Sequence, residues 1–301
     1  MKHLLKLQDW SEQDIFEVLN LADQLKYEKK NGIPHHLLKG KTLGMIFEKS
    51  STRTRVSFEV GMYDLGGQAL FLSSRDLQIG RGEPVEDTAR VLSRYLDGIM
   101  IRTYAQEEVE MLASYGLIPI INGLTDYCHP CQVLADLMTI REHRGTLQGQ
   151  KLTFIGDGNN MANSLIVGGI KTGMTVAIAC PNDYRPDPQI MEWAKKNGNF
   201  ICTDDVLEAA RDADVLYTDV WASMGQEEEA AMRREIFKNF QINDATMAVA
   251  KSDAMVLHCL PAHREEEITA KVFEAHAHEI FDEAENRLHA QKAVMVYCMK
   301  D

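Results

Sequence analysis

Residues 42–55 read Thr42-Leu43-Gly44-Met45-Ile46-Phe47-Glu48-Lys49-Ser50-Ser51-Thr52-Arg53-Thr54-Arg55. The first six form an apolar run short enough for a buried strand. A helical pattern then runs from about Thr54 to Leu65 and stops at Gly66-Gly67. A strand that hands the chain straight to a helix is the building unit of a parallel α/β fold. The junction from Lys49 to Arg55 holds three cations and four hydroxyls. Helix N-termini leave N–H groups unpaired and carry partial positive charge, and arginine adds a planar fork that fits phosphate oxygens. This is a compact anion site. It is not a nucleotide P-loop, because the glycine-rich turn and the Gly-Lys-Ser/Thr ending are missing. The plainer alternative is a well-capped, solvated helix start.

The same alternation extends both ways. Upstream, Ser11 and Asp14 make a capping box, and Ile15, Val18, Leu19, Ala22 and Leu25 fall on one helical face. Downstream, strands at 69–72, 98–101 and 118–121 alternate with helices at 84–96, 106–115 and 130–143. Residues 144–149, Arg-Gly-Thr-Leu-Gln-Gly, break the pattern, which restarts with strands at 151–155, 175–179, 200–202, 214–218 and 254–258. Helices at 160–172, 189–196 and 206–210 lie between them, and a last helix spans about 281–297. The chain is therefore expected to be α/β, with two doubly wound parallel-sheet domains at 1–143 and 144–280 and a C-terminal segment, 281–301.

The 301 residues are 45% hydrophobic and 26% charged, which excludes disorder as the main state. No apolar run approaches the ~18 residues a membrane helix needs. Lys6, Gln8 and Asp9 interrupt the N-terminal apolar residues before a signal core forms. A net charge of −13 repels polyphosphate backbones, so nucleic acid is not an expected partner. Six scattered cysteines argue for a reducing compartment, and the cytoplasm is the expected location.

In doubly wound sheets, ligands bind beyond the carboxyl ends of the strands. Arg102 follows one strand. After another come Asn122 to Gln132, where Pro130 suits a first helical turn and His129 sits at its entrance. Cys128-x-x-Cys131 has redox spacing, though on the wrong strand for that fold, and a zinc site would lack a second ligand pair. In the second block, Gly156-Asp157-Gly158 half-resembles a dinucleotide fingerprint with Met161 in place of the third glycine. Asp183 is the matching candidate ribose acid, which keeps a nicotinamide enzyme open. Asp219-Val-Trp-Ala-Ser223-Met224-Gly225 offers an acid, a hydroxyl and a flexible glycine that could grip an amino acid's ammonium. Cys259, flanked by His258 and His263, is either a nucleophile or a small strand-end residue. His276 and His278 read as surface residues.

Taken in order, Ser51-Thr52-Arg53-Thr54-Arg55, His129-Pro130-Cys131-Gln132, Asp219 with Ser223-Met224-Gly225, and His258-Cys259-Leu260-Pro261 resemble the signature motifs of the aspartate/ornithine carbamoyltransferase family. The first two are similar to motifs of the whole family, the last two to those of its ornithine branch. The likeness runs from about Lys49 to the last helix, where Glu285-Asn286-Arg287 also fits. Cys131 departs from it, since many relatives carry Thr there.

The resemblance implies transfer of the carbamoyl group of carbamoyl phosphate to the δ-amine of L-ornithine, with no metal or cofactor. It implies a first domain that binds carbamoyl phosphate, a second that binds ornithine, and a final helix that returns to the first. It also implies a homotrimer, or a multiple of trimers, in which Gln78 is lent to a neighbour's site. By the same likeness Ser51, Thr52, Arg53, Thr54, Gln78, Arg102, His129, Pro130, Cys131, Gln132, Cys259, Leu260 and Arg287 hold carbamoyl phosphate. Asn160, Asp219, Ser223 and Met224 hold ornithine, and Arg102, His129, Asp219 and Cys259 are the catalytic set. The implied pathway is arginine biosynthesis or, in reverse, arginine breakdown. The competing readings are a carbamoyltransferase for another amine such as putrescine or N-acetylornithine, the dehydrogenase, and a non-catalytic relative.

Overall fold

A computed structural model describes residues 1–78, 82–222 and 229–300. The chain divides into two compact units: Met1–Met138 together with the chain from Glu285 onward, and Thr139–Ala284.

In the first unit, α1 (Glu12–Lys30) starts at the Ser11–Asp14 capping box and buries Ile15, Val18, Leu19, Ala22 and Leu25 on one face. Then follow β1 (Thr42–Phe47), α2 (Thr52–Asp64), β2 (Gln68–Ser73), α3 (Val85–Leu92), β3 (Gly98–Arg102), α4 (Gln106–Tyr115), β4 (Ile120–Leu124) and α5 (Pro130–Arg144). The four strands are all parallel, in the order β2-β1-β3-β4. Ile46, Ile99, Ile101, Val109, Leu112 and Ile120 belong to one of this unit's buried clusters.

The second unit carries β5 (Lys151–Ile155), α6 (Asn160–Lys171), β6 (Thr175–Ala179), α7 (Pro188–Asn197), β7 (Phe200–Thr203), α8 (Val206–Ala210), β8 (Val215–Thr218), α9 (Ala230–Phe237), α10 (Asp244–Val249), β9 (Met255–His258) and α11 (Ala270–Ala275). The final helix α12 (Ala277–Met299) begins in this unit and ends in the first. The sheet is again all parallel, in the order β7-β6-β5-β8-β9. Leu216, Trp221, Phe237, Val256 and Phe273 lie in its core.

The strand order turns back on itself at β1 in one sheet and at β5 in the other, the doubly wound pattern expected from the sequence. Register then decides what sits together. Phe47 lies beside Arg102, so the β1–α2 loop emerges next to Arg102. In the other sheet Ile155, Thr218 and His258 are in register, so Gly156, Asp219 and Cys259 leave three adjacent strands side by side.

Several expected elements shift. The fourth strand runs Ile120–Leu124 rather than 118–121, because buried Asn122 donates to the Leu5 carbonyl at 2.8 Å and fits the strand interior. The last helix begins at Ala277, ahead of the expected 281. Helices α9, α10 and α11 occupy stretches in which the sequence showed none. They are 8, 6 and 6 residues long, so hydrophobic periodicity has little room to register.

Gly158 explains the half-fingerprint. A Cβ there would lie 2.3 Å from Pro186 N, 2.4 Å from Arg185 C and 2.5 Å from Tyr184 O. The glycine admits the close approach of the chain's own backbone at Tyr184–Pro186. Asn159 Oδ1 also takes the N–H groups of Met161 and Ala162 at 2.9 and 3.3 Å, occupying donors that a pyrophosphate would need. Gly158→Ala should therefore lower stability by about 1–3 kcal/mol in chemical denaturation, as overpacking against backbone does. A change of a few tenths would show that the loop can move aside.

Candidate active site

In the first unit, the strand-end candidates gather around Thr54. Ser51 caps α2, its Oγ accepting the Thr54 N–H at 3.2 Å, so one donor of the helix start is used internally. Thr54 is fully buried, and its Oγ1 accepts from Arg102 Nη1 at 3.3 Å and from Arg287 Nη2 at 3.0 Å. Arg287 Nη1 donates to Gln132 Oε1 at 2.7 Å, and Gln132 Nε2 donates to Asp136 Oδ1 at 2.8 Å. Residues from α2, β3, α5 and α12 thus meet in one buried network.

His129 lies just before α5 and is buried. Burial first, then the Arg287, Arg102 and Arg53 guanidiniums, holds its imidazole well below the usual histidine range. Near neutral pH it is uncharged, so it can donate one N–H but is a poor acceptor of a second proton. Of the three cations at the β1–α2 junction, only Arg53 bears on His129. Lys49 pairs with Asp126 and lies over the Tyr104 ring, and Arg55 turns to Glu59 and the Phe71 ring.

The remaining candidates of this unit sit as follows. Thr52 is the exposed first residue of α2, and Pro130 is the buried first residue of α5. Gln78 is exposed in the segment between β2 and α3. Cys131 is buried, with its thiol donating to the Asn122 carbonyl at 3.3 Å, so that side chain is committed within the strand–helix packing. Burial pushes the thiols of both Cys128 and Cys131 up to about 12. A redox Cys-x-x-Cys needs the opposite shift, which removes the support for that alternative.

In the second unit, the candidates gather around Asp219, directly after β8. Its Oδ1 accepts from the Val220 N–H at 2.8 Å and from the Cys259 thiol at 3.1 Å, and its Oδ2 accepts from Asn159 Nδ2 at 3.0 Å. Asn160, the expected ligand, is the first residue of α6 and half-buried, one position beyond the residue that grips Asp219. Ser223 and Met224 lie outside the described residues. Buried Arg233 donates to Asp157 Oδ2 at 2.7 Å and to the Trp221 carbonyl at 2.9 Å, bracing both loops. Burial is the main cause that raises the Asp157 carboxyl above its ordinary range, and Arg233 opposes it. Asp157, Asn159 and Arg233 escaped the sequence reading. The Gly-Asp-Gly-Asn turn was a signal for the first two, and Arg233 had none in its polar, Glu-rich surroundings.

Leu260 has φ 59°, a left-handed backbone that a branched residue rarely adopts. Its N–H donates to His258 Nδ1 at 2.9 Å, so His258 carries its proton on Nε2, which faces Glu267 Oε1 at 2.9 Å. The same Glu267 oxygen accepts the His263 N–H at 2.6 Å. Both side chains of the His258–Glu267 pair are fully buried. The pair fixes the loop that carries Cys259 and Leu260. His258 is therefore a positioning residue here, which argues against its acting as a base for a Cys259 nucleophile. Among the described residues, the donor group His263, Glu266 and Glu267 draws on this same bracing carboxylate.

Residues 2–142 match the carbamoyl-P binding domain of the aspartate/ornithine carbamoyltransferases, and residues 148–298 match the family's Asp/Orn binding domain. The family matches meet near the same boundary as the two units, although the second runs on through the last helix, whose end belongs to the first unit. The chain belongs to the aspartate/ornithine carbamoyltransferase family. It is a carbamoyltransferase by that membership. It is 58% identical to an ornithine carbamoyltransferase of Syntrophotalea carbinolica, covering 99% of both chains. The solved ornithine carbamoyltransferase of Pyrococcus furiosus is 53% identical, with a TM-score of 0.95 over 99% of this chain and 97% of that one. A solved acetylornithine transcarbamylase in complex with acetylcitrulline is 32% identical with a TM-score of 0.89, covering 100% of both chains. The fold alone therefore does not separate these acceptors.

The depressed His129 can be checked directly. In the ligand-free chain its imidazole resonances should not titrate between about pH 6 and 8, because the neutral form is favoured throughout. A midpoint near 6.5 by NMR would mean that neither burial nor the arginines hold it down.

Proposed function

We propose that the chain transfers the carbamoyl group of carbamoyl phosphate to the δ-amine of L-ornithine, giving L-citrulline and phosphate. The observation that carries this reading is the meeting of Arg102 and Arg287 on the buried Thr54 hydroxyl, close enough with Arg53 to hold the buried His129 imidazole below its usual range. A phosphate dianion matches that charge, and in a chain of net charge −13 only such a local cluster would hold it.

In this reading residues 1–143 bind carbamoyl phosphate, 144–280 bind ornithine, and 281–301 return Arg287 to the first domain. Ser51, Thr52, Arg53 and Thr54 with Arg102 and Arg287 grip the phosphate. The carbonyl oxygen gains negative charge during attack, and Thr54, Arg102 and His129 supply donors to it. Gln132, Pro130, Cys131 and Leu260 line the carbamoyl end, Cys131 by its main chain. Asn160, Asp219, Ser223 and Met224 hold the amino-acid end of ornithine, and Cys259 with Asp219 orients the reacting amine. Gln78 completes a neighbour's phosphate site in a homotrimer, a role its exposure permits. The chain acts in the cytoplasm, in the direction of arginine synthesis. The close relatives named for ornithine, against a more distant one named for acetylornithine, support free ornithine as the acceptor.

An amine with pKa ~10.4 is neutral in about one molecule per thousand at pH ~7.4, a cost of about 4 kcal/mol. The departing phosphate can take the proton, so no strong base is needed. Turnover should rise between about pH 7 and 8.5 as the amine titrates, and a flat profile would exclude limitation by amine deprotonation.

The deciding experiment supplies carbamoyl phosphate with ornithine, putrescine, N-acetylornithine or aspartate. Citrulline from ornithine alone supports the whole reading, and turnover with another acceptor overturns the second domain's part of it. Arg102→Ala should lower turnover by about 10²–10³, the range for losing a transition-state donor. Near-normal kinetics would remove the anion site.

A further inference from the structure

His276 and His278 have no place in that reaction, yet they do not stand alone. His276 caps α11 and His278 lies in the first turn of α12, both in the same compact unit as the end of α5. Donor atoms of His143, His278 and Glu279 all lie within 4.8 Å of one another. His143 comes from the last turn of α5, and its Nε2 sits 2.9 Å from Asp282 Oδ2. The His143 and His278 rings are 5.9 Å apart between centroids. Glu279 is held from behind: its Oε2 accepts the Val256 N–H at 2.9 Å and faces His276 Nδ1 at 2.7 Å. Its Oε1 is turned to His278 Nε2 at 3.8 Å.

We propose that His143, His278 and Glu279 form a binding site for a divalent transition metal of the zinc class, with Asp282 or water completing the shell. The donor set decides the class of ion. Two imidazoles and one carboxylate suit zinc, cobalt or nickel, whereas magnesium and calcium prefer oxygen ligands throughout. Ligand atoms about 2.1 Å from a tetrahedral ion lie about 3.4 Å apart. Closing the present 4.8 Å spread takes about an ångström of movement. The His278 side chain is 66% exposed and free to turn, while Glu279, at 11%, is the fixed member. His276 and the Val256 N–H are the outer partners that orient a ligating carboxylate. The ion would tie the end of α5 to the start of α12 and neutralise Glu279 and Asp282. It would act structurally, since no residue of the carbamoyl-transfer machinery belongs to it.

The test uses cobalt(II) with the full chain, because its visible spectrum reports the ligands. The Cys259→Ser background removes a thiol that also attracts such metals. The expected result is about one cobalt per chain in that background by equilibrium dialysis, with visible bands and no thiolate charge-transfer band. His278→Gln and His143→Gln should each weaken retention more than about tenfold. Undiminished retention in both variants overturns the proposal, as does retention that requires Cys259. Failure to bind cobalt at about 0.1 mM also overturns it, and leaves the four side chains as two His–carboxylate pairs.

Discussion

Two buried guanidiniums donate to one threonine hydroxyl, and much of the first unit is arranged to permit it. Arg102 and Arg287 meet at Thr54, with Arg53 also bearing on the neighbouring imidazole. Two unit charges about 6 Å apart repel by on the order of 3 kcal/mol at an effective dielectric near 20. The fold supports that repulsion because each arginine comes from a rigid element: Arg102 from the end of a strand between two others, Arg287 from the middle of the last helix. An anion placed among them turns the repulsion into attraction. His129 is the most sensitive reporter of this arrangement, because its protonation would add a further positive charge to the cluster.

Register does for the second unit what the arginines' anchoring does for the first. Ile155, Thr218 and His258 end in line, so the residues that follow each strand are neighbours before any side chain is considered. The Cys259–Asp219 hydrogen bond at 3.1 Å follows from that alignment, and Asn159 closes on the same carboxylate from the third strand's loop. Around it, Arg233 of α9 braces the loops after β5 and β8. The arrangement depends on the loop backbones, which is why Leu260 is locked in a strained φ by the buried His258–Glu267 pair.

The reach of sequence reasoning can be traced to these same features. Parallel strands buried on both faces are near-continuous apolar runs, so β1, β5 and β8 were legible, and the strand-end rule led to Arg102, His129, Asp219 and Cys259. What escaped depended on tertiary contacts. β4 was displaced because Asn122 and Gly123 look like turn residues. In the fold Asn122 is satisfied by the Leu5 carbonyl, and a Cβ on Gly123 would meet Met100 Sδ at 2.6 Å. Asn160 comes from the resemblance alone, and the hydrogen bond of its neighbour Asn159 to Asp219 depends on side-chain direction, which motif spacing does not give. Arg233 sits on a helix of eight residues whose neighbours are mostly polar, and its burial is decided by Asp157, 76 positions away. The Cys-x-x-Cys spacing was visible but carried no information about burial, which sets the chemistry of those thiols.

One tension in the reaction follows from the second unit's charge. A carboxylate beside an amine favours the ammonium, so in the proposed reaction an Asp219 that orients ornithine would work against the neutral nucleophile. The structure tempers this. Asp219 already accepts three hydrogen bonds, one from a neutral thiol, and its charge is spread over fixed donors before any substrate arrives. A carboxylate satisfied in this way positions an amine by a directed hydrogen bond with a weakened pull on its proton. Replacing the thiol by a stronger donor, or removing it, changes how much of that charge the amine feels. In the proposed reaction the second unit would thus set acceptor orientation and amine acidity through the same pair of side chains, while the first unit's arginines would act on the oxygen and phosphate charge that the attack releases.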